Sequence, residues 1–497
     1  LEFRRVLFRS DVIYFNPIFV SPSNHKYDTQ DYDHVDPHLG KIVVDGGETV
    51  SDYATDNKNA SKYKTRTTSL ENLEASNQLF IELVEKAHEH GIKIIIDGVL
   101  NHCGSFNKWL DREELYKGNS DYETGAYQSK ESPYNSYFKF STDSWPDNYS
   151  YEGWWGFDTL PRLNYEGSEK LCNYILHIAE KWVSPPFNVD GWRLDVAADL
   201  GHSPEFNHKF WQEFRKNIKK ANPNAIILAE HYGDAAAWLD GTQWDTIMNY
   251  DAFMDPVSYF FTGMEKHSDS FRGDLYNNGS AFANAMVQKM ARMPRQSLFT
   301  SMNELSNHDH SRFLTRTNMT CARVNTKGSE SAYDNINIDI MKEAVLMQFT
   351  WVGSPTVYYG DEAGVVGWTD PDNRRTYPWG HENKDLINFH KEVISLRKKY
   401  KQFSKGSTMF LNEDTGIISY GRFDEKCKVI VIFNNNEDER EIEIPLWRTG
   451  SEEGNVFKKI FTAKECGNVE EKYYKVNNGK ILLNIEGRNG VVIADEY

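Results

Sequence analysis

Short apolar runs recur along the first three quarters of the chain, and helical patterns separate them. A typical run is IKIIIDGV at 92–99, which is rich in β-branched residues and lies beside glycine. Runs of this kind that alternate with amphipathic stretches predict a parallel sheet with helical crossovers. The predicted strands lie at 12–18, 92–99, 187–196, 225–231, 245–250, 298–305 and 355–360.

The stretch 68–91 has the pattern of an amphipathic helix between the first two strands. Thr68 and Glu71 have the spacing of a capping box, and Gly91 stands where a C-cap belongs. The apolar stripe consists of Leu73, Phe80, Leu83, Val84 and Ala87.

From about residue 400 the pattern changes to short alternating strands joined by polar turns. This pattern predicts an antiparallel β-sandwich at 401–497, domain C. In REIEIPL (440–446), acidic and apolar positions alternate, which is typical of a half-buried strand with a charged outer face. The other predicted strands are GIISYGRF, KVIVIFNN, KILLNIEG and GVVIADEY.

The strand count suggests a barrel that lacks one strand. A (β/α)8 TIM barrel needs eight strands, and the missing one would precede residue 11. We therefore expect an α/β fold in which 11–102 and 166–400 form the barrel, domain A. The segment 1–10, with three arginines, is interpreted as a non-native leader. The long aromatic segment 103–165 is predicted to be an inserted domain B after the third barrel strand.

Composition excludes some classes of function. The net charge of −17 over 497 residues argues against a nucleic-acid partner, which needs a clustered positive surface. No run of 18 apolar residues occurs, so we expect no membrane span. The five cysteines lack CxxC spacing, which favours a reducing, cytoplasmic location over a disulfide framework.

Acidic residues follow several predicted strands. In parallel α/β barrels the chemistry lies at the carboxyl ends of the strands, so we expect these residues to lie at one site. The strand-end residues are Asp97 with Asn101 and His102, Arg193 with Asp195, Glu230, and His308 with Asp309.

Arg193 and Asp195 share one side of an extended strand. The guanidinium would keep Asp195 ionised, whereas Glu230 follows the apolar run AIILA, a setting that favours a protonated carboxyl group. One ionised and one protonated carboxyl group are what glycosidic cleavage requires. A divalent metal site is the competing interpretation, and the arginine and histidines among these residues oppose it.

The motifs resemble those of glycoside hydrolase family 13, the α-amylase family, from about residue 11 to the end. Several of them are closest to the neopullulanase, cyclomaltodextrinase and maltogenic amylase subgroup. The matching segments are DGVLNH (97–102), GWRLDV (191–196), Glu230, NHD (307–309), LPRLN (160–164), SNHKYDT (23–29) and YYGDEAGVVGWTDPDNRR (358–375).

This resemblance implies retaining cleavage of α-1,4-glucosidic bonds in maltooligosaccharides, cyclodextrins or starch-type glucans. Asp195 would be the nucleophile, Glu230 the general acid and base, and Asp309 a stabiliser of the transition state. Asp97 and Asn101 would support the site. The resemblance also implies that the substrate contacts are Tyr27, His102, Arg193, His308, Asp370 and Arg374.

Some alternatives stay open. Ala198 and Asp199 replace the subgroup's Asn-Glu, and Tyr232 and Gly233 replace its Trp-His, on the acceptor side. These departures leave bond preference and the ratio of hydrolysis to transfer open, so an α-glucan transglycosylase is one alternative function. A non-catalytic carbohydrate-binding relative is a separate alternative. We expect no cofactor for the chemistry, while a structural Ca²⁺ is open because no oxygen cage is assignable. The oligomeric state is also open, because the subgroup's N-terminal dimerisation domain does not occur in this sequence.

Overall fold

The computed structural model describes residues 10–54, 57, 59–465 and 469–495. These residues divide into two compact units. The first comprises the described residues up to His231 together with Ala237–Ile247, and the second comprises Tyr232–Ala236 and the described residues from Met248 onward. The predicted leader at 1–10 lies outside the described residues, apart from Ser10.

The first unit is built on a five-stranded parallel sheet of order β1-β4-β5-β6-β7. This sheet confirms the parallel arrangement predicted from the apolar runs, while β2 and β3 add an antiparallel pair that was not predicted. The strands are β1 (Val12–Phe15), β2 (Phe19–Val20), β3 (Asp31–Val35), β4 (Lys93–Gly98), β5 (Gly191–Leu194), β6 (Ile226–Ala229) and β7 (Thr246–Ile247). The helices are α1 (Ser61–Thr68), α2 (Leu70–Glu89), α3 (Glu169–Val183) and α4 (Pro204–Ala221).

Helix α2 confirms most of the predicted helix at 68–91. Leu73, Phe80 and Val84 are buried, and Gly91 follows the helix with a φ of +71°. The predicted capping box is wrong, because Thr68 ends α1 and Ser69 precedes α2 without a side-chain cap. The sequence pattern alone did not separate these two consecutive helices.

The segment 103–165 connects β4 to α3. Its regular structure consists of two short 3₁₀ turns, Asn135–Tyr137 and Trp154–Gly156. An isolated bridge joins Arg162 to His102, just beyond the end of β4, so the segment returns to the edge of the sheet where the predicted chemistry lies.

The second unit contains a parallel pair of strands and most of the helices. The strands β8 (Met302–Glu304) and β9 (Ser354–Thr356) lie near the runs predicted at 298–305 and 355–360. The first half of the 298–305 prediction is wrong, because a helix begins after Pro294 and occupies part of this short apolar run. The helices are α5 (Asp255–Thr262), α6 (Gly279–Met290), α7 (Arg295–Thr300), α8 (Phe313–Arg316), α9 (Val324–Lys327), α10 (Ile338–Thr350), α11 (Lys384–Lys399) and α12 (Gln402–Lys405).

The C-terminal part of the second unit forms two antiparallel sheets, of orders β10-β11-β12-β17-β14-β15 and β13-β16. All five predicted strands occur. In β13, Ile442 and Ile444 are buried while Glu441 and Glu443 are exposed, as the alternation predicted. The strands are β10 (Ser407–Asn412), β11 (Ile417–Phe423), β12 (Lys428–Asn434), β13 (Arg440–Ile444), β14 (Val456–Thr462), β15 (Tyr473–Lys475), β16 (Ile481–Ile485) and β17 (Asn489–Asp495).

Among the helices of the described residues, none is both long and apolar enough to cross a bilayer.

A carboxyl group is buried inside the second unit, on helix α10. The side chain of Glu343 is fully buried, and neither of its oxygens has a hydrogen-bond partner among the described residues. Burial raises the pKa of Glu343 well above its usual value, and the charge of Asp339 raises it further. Arg488 and Lys464 act in the opposite direction. Burial is the largest of these effects, so Glu343 keeps its proton to a higher pH in the folded protein than in the unfolded chain.

We expect Glu343→Met to stabilise the protein, and more at high pH than at low pH. Above about pH 4.3, where an unfolded glutamate loses its proton, the folded state binds more protons than the unfolded state. The free energy of unfolding therefore falls as pH rises. Removal of the group should raise it by about 1–3 kcal/mol at pH 8, and by less at pH 5. Urea unfolding at both pH values measures the difference, with the exposed Glu392→Met as the control. An equal gain in the free energy of unfolding at both pH values would contradict the raised pKa of Glu343.

Candidate active site

Three adjacent parallel strands, β4, β5 and β6, bring the predicted charged site residues of the first unit together. Asp97 on β4 lies opposite Arg193 on β5 in the strand register. Asp195 and Glu230 directly follow β5 and β6, and their backbone N–H groups continue the ladder to the carbonyls of Gly98 (3.1 Å) and Leu194 (2.8 Å). The carboxyl ends of these strands therefore hold the residues that the sequence predicted there.

The guanidinium of Arg193 joins three carboxyl groups. Its Nη1 lies 3.0 Å from Asp97 and 2.9 Å from Asp195, and its Nη2 lies 2.9 Å from Glu230. Arg193 and Asp97 are fully buried, while Asp195 and Glu230 are 8% and 5% exposed. One positive charge thus faces three groups that would each be negative in water. Burial of this excess negative charge carries a large desolvation free energy.

Burial changes the protonation expected for Asp195. It raises the pKa of Asp195 well above the ordinary value, and the nearby Glu230 raises it further, whereas Arg193 lowers it. The pKa of Asp97 is also raised by burial, against Arg193 and two tyrosine hydroxyls. Arg193 lowers the pKa of Asp195, as expected, but desolvation outweighs the attraction of one shared guanidinium, so the net direction of the shift is upward.

Two tyrosines complete the surroundings of Asp97. The hydroxyls of Tyr14 and Tyr27 donate to Asp97 Oδ2 at 2.5 Å and 3.0 Å. The Tyr27 ring lies 5.9 Å from the Arg193 guanidinium carbon, so the predicted substrate contacts Tyr27 and Arg193 are neighbours. Tyr14 was missed by the sequence analysis, although it lies on β1, at the same edge of the sheet.

His102 and Asn101 lie beside this group. His102 Nε2 is 3.2 Å from the Tyr27 carbonyl, and burial lowers the pKa of His102 to about 4. His102 is therefore neutral at pH 7 and suits a hydrogen bond to an uncharged ligand. With its amide oriented to satisfy its neighbours, Asn101 donates to the Asp199 carbonyl at 2.9 Å and accepts from Trp154 Nε1 at 3.3 Å.

The backbone after Asp195 turns sharply. Val196 adopts a φ of +37°, which a β-branched residue rarely does, and its N–H donates to Glu230 Oε2 at 3.0 Å. Strained backbone of this kind is concentrated at active sites. Nothing in the sequence identified Val196, because only the folded chain brings its N–H group to Glu230.

The second unit holds the other predicted site residues. Asp309 lies 3.9 Å from Arg374 Nη2 and 3.6 Å from His308 Nε2. Arg374 Nε lies 2.9 Å from both the His308 carbonyl and Asp370 Oδ1. The structure thus brings His308, Asp309, Asp370 and Arg374 together within this unit.

Neighbouring side chains already engage two clusters of acidic residues that could be considered for a metal ion. Arg193 stands among the carboxylates of the first unit and would repel a cation. In the second unit Glu265, His267 and Asp269 approach one another. However, Asp269 already pairs with Arg323, and Glu265 accepts hydrogen bonds from the backbone and ring of His267, so neighbouring groups account for this cluster. The structural Ca²⁺ therefore remains unassigned.

We expect Arg193→Met to destabilise the protein by about 3–5 kcal/mol, the cost of leaving buried charges uncompensated. The loss should be larger at pH 8 than at pH 5, because the raised pKa values of Asp97 and Asp195 let both groups hold protons at low pH. Thermal unfolding followed by circular dichroism measures both values. The control is Arg292→Met, an exposed arginine 3.6 Å from Asp234. Equal losses for the two variants would show that Arg193 does not hold the cluster together.

Comparisons with known proteins identify the family of this chain. The family model of the alpha amylase catalytic domain matches residues 68–405. Neopullulanase 2 of Thermoactinomyces vulgaris is 31% identical over 487 residues, which cover 97% of this chain and 67% of that protein. The debranching enzyme of Nostoc punctiforme has a similar structure, with a TM-score of 0.73 and 27% identity over 98% of this chain and 86% of that one.

Some relatives are much longer than this chain. An amylopullulanase of Thermoanaerobacter thermohydrosulfuricus is 31% identical over 98% of this chain, but the chain spans only 31% of that protein. A cyclomaltodextrinase of Thermoanaerobacter pseudethanolicus is 32% identical over 87% of this chain and 61% of its own length. The family match covers more than half of the sequence, and with the strand-end motifs it shows that the chain belongs to the α-amylase family of glycoside hydrolases.

Proposed function

We propose that this protein is a retaining glycoside hydrolase that cleaves α-1,4-glucosidic bonds in maltooligosaccharides, cyclodextrins or starch-type α-glucans. The observation that carries the proposal is the contact of Asp195 and Glu230 with opposite nitrogens of one guanidinium. Retaining glycosidases have closely spaced carboxyl groups, about 5–5.5 Å apart, whereas inverting enzymes space them more widely. The relatives named neopullulanase and cyclomaltodextrinase support an α-glucan as the substrate.

In the first step Asp195 attacks the anomeric carbon of the glucosyl unit and forms a covalent ester. Glu230 gives its proton to the glycosidic oxygen, and the sugar on the other side of that oxygen leaves as an alcohol. In the second step Glu230 takes a proton from water, the water oxygen attacks the same carbon, and Asp195 is released. The anomeric configuration is inverted twice and therefore retained.

Arg193 would help this cycle by compensating negative charge as it moves. Asp195 carries the charge before attack, and Glu230 carries it after proton transfer, and both groups contact the guanidinium. The N–H group of Val196 donates to Glu230 and would also favour its ionised form after the transfer. Tyr27 and His102 would hold the sugar at the cleaved bond, as the motifs imply.

The roles proposed for the second unit rest on the motif NHD and on local contacts. Asp309 would stabilise the distorted sugar of the transition state, and His308 would contact the same sugar. Asp370 and Arg374 would bind the non-reducing end of the substrate, and their mutual contact holds Arg374 beside His308.

We also propose the finer architecture that the family implies. The parallel strands would belong to a (β/α)8 barrel, with 103–165 as domain B and 401–497 as domain C. The five-stranded parallel sheet, the antiparallel C-terminal sheets and the structural relatives support this arrangement.

Transfer of the glucosyl unit to a sugar hydroxyl is the alternative outcome of the same intermediate. In that case a sugar replaces water in the second step, and the residues keep their roles. Retention of all three acidic positions, Asp195, Glu230 and Asp309, disfavours a non-catalytic relative.

We expect maltotriose to release α-anomers first, which proton NMR detects before mutarotation. Asp195→Ala should abolish turnover, because no covalent intermediate can form. Glu230→Gln should lower kcat on maltotriose by about 10²–10⁴-fold. The loss on α-maltosyl fluoride should be smaller, because fluoride leaves without a proton. The exposed Glu205→Gln serves as the control. Products longer than the substrate would indicate transfer, and β-anomers first would exclude the retaining mechanism.

We expect the acid limb of the kcat/KM profile on maltotriose to lie above the ordinary aspartate pKa of about 3.9. Asp195 attacks only as a carboxylate, so activity rises with pH through its pKa, which burial and Glu230 raise. Initial rates between pH 3 and pH 8 give the profile, after recovery of full activity at pH 6 has excluded acid unfolding. An acid limb below 3.9 would contradict the raised pKa in the free protein.

A further inference from the structure

Residues 307–310 form a loop that carries Asp309, and we call it the Asp309 loop. It lies against residues 370–374 of the same unit, and all four of its backbone carbonyl groups accept hydrogen bonds from them. The pairs are Asn373 Nδ2 to the Asn307 carbonyl (3.0 Å) and to the His310 carbonyl (2.8 Å), Arg374 Nε to the His308 carbonyl (2.9 Å), and the Asp370 N–H group to the Asp309 carbonyl (3.4 Å).

Asn373 makes the two outer contacts of this set. Its side chain is fully buried, and an asparagine carries two hydrogens on Nδ2, so both can reach a carbonyl of the Asp309 loop. The two acceptors lie on either side of the pair His308–Asp309. One amide group thus spans the part of the loop that carries Asp309. The sequence analysis assigned roles to Asp370 and Arg374 in this segment but none to Asn373.

Asn373 is itself held in place by a buried arginine. Arg312 Nε donates to the Asn373 carbonyl at 2.9 Å, and its Nη1 donates to the Tyr359 carbonyl at 2.7 Å and to Asp361 Oδ1 at 2.9 Å. Arg312 follows the Asp309 loop by two residues, so the two segments bind each other in both directions. A group supported in this way can fix the geometry of a site.

The N–H groups of the Asp309 loop are bound as well. Asn307 Oδ1 accepts from the Asp309 N–H group at 3.0 Å and from the His310 N–H group at 3.1 Å. Both backbone polar groups of Asp309 therefore have partners. The Asp309 side chain is 37% exposed, so its position depends on this fixed backbone. Misplacement of a catalytic group by about 1 Å can lower a rate by about 10²-fold.

The other half of the Asn373 amide indicates why this residue is an asparagine. Its Oδ1 is buried and has no hydrogen-bond partner among the described residues. An unpaired buried oxygen lowers stability, and an apolar side chain would fill the same space without this loss. The two hydrogen bonds that Nδ2 donates to the Asp309 loop are therefore the contribution that an apolar residue could not make.

We infer that Asn373 is a positioning residue for Asp309, whose amide group holds the loop so that the Asp309 carboxyl group meets the distorted sugar. The inference rests on the proposed function, in which Asp309 stabilises the transition state. Because Asn373 acts on the transition state through Asp309, its removal should lower kcat and change KM little.

The test measures Asn373→Ala with α-maltosyl fluoride, a reactive substrate that keeps low rates measurable. The kcat should fall about 10²-fold, while KM should stay within about threefold. The matched control is Asn434→Ala in the C-terminal part of the unit. Asn434 is also fully buried, and its Nδ2 donates to the Asp438 and Ile485 carbonyls at 2.9 Å each. This control should lose stability and keep its kcat, with both variants assayed well below their unfolding temperatures.

A double-mutant cycle separates an effect through Asp309 from a general structural role. Asp309→Asn removes the charge that Asn373 positions, so Asn373→Ala should lower kcat by less than about twofold in that background. The same 10²-fold loss in both backgrounds would overturn the inference, and so would an unchanged kcat in Asn373→Ala alone.

Asn373→Asp is the second variant, because it keeps the shape of asparagine but can donate one hydrogen bond at most. Its kcat should also fall. If neither variant folds by circular dichroism, Asn373 supports the whole fold rather than Asp309, and the inference fails.

If the parent protein turns over neither maltotriose nor α-maltosyl fluoride, the proposed function fails. Crystal structures then test the inference by themselves. The Asp309 carboxyl group should move by about 1 Å in Asn373→Ala and stay in place in Asn434→Ala. An unmoved carboxyl group in Asn373→Ala would contradict the positioning role.

Discussion

The carboxyl cluster of the first unit depends on one buried guanidinium. Arg193 is fully buried and is the positive charge nearest to Asp97, Asp195 and Glu230. Three ionised carboxylates around one arginine would carry a net charge of −2 in a medium of low polarity. Desolvation opposes this state, which is why the pKa values of Asp97 and Asp195 are raised. Asp97 and Asp195 therefore keep their protons to a higher pH than aspartates in water.

Strand periodicity explains how the sequence could predict this cluster. Alternate residues of a strand share a face, so Arg193 and Asp195 had to point the same way. The parallel register then placed Asp97 opposite Arg193. These predictions needed only local geometry and the rule that chemistry lies at the carboxyl ends of parallel strands. The same periodicity identified Ile442 and Ile444 as buried positions of the C-terminal strand β13.

What the sequence could not predict depends on distant packing. The upward direction of the Asp195 pKa shift was not predicted, because the burial that causes it depends on how the whole sheet edge is covered. Tyr14 reaches Asp97 across 83 positions of sequence, and no local pattern marks it. The short apolar run at 298–305 was divided between a helix and a strand, since periodicity cannot separate these over so few residues. Strand β15 (Tyr473–Lys475) was too short to show any alternation.

The turn after Asp195 connects the carboxyl cluster with the neighbouring Trp154. A relaxed extended backbone at Val196 would carry the chain straight on, away from the turn at Ala197–Asp199. The Val196 N–H group contacts Glu230, and the positive φ that follows this nitrogen sends the chain into the turn that presents Asp199 to Trp154. Val196 therefore connects Glu230 with the turn that holds Trp154. Asp195, the Val196 N–H group and Asp199 lie on one short segment of backbone, so this segment sets the contact with Glu230 and the hydrogen bond from Trp154 together.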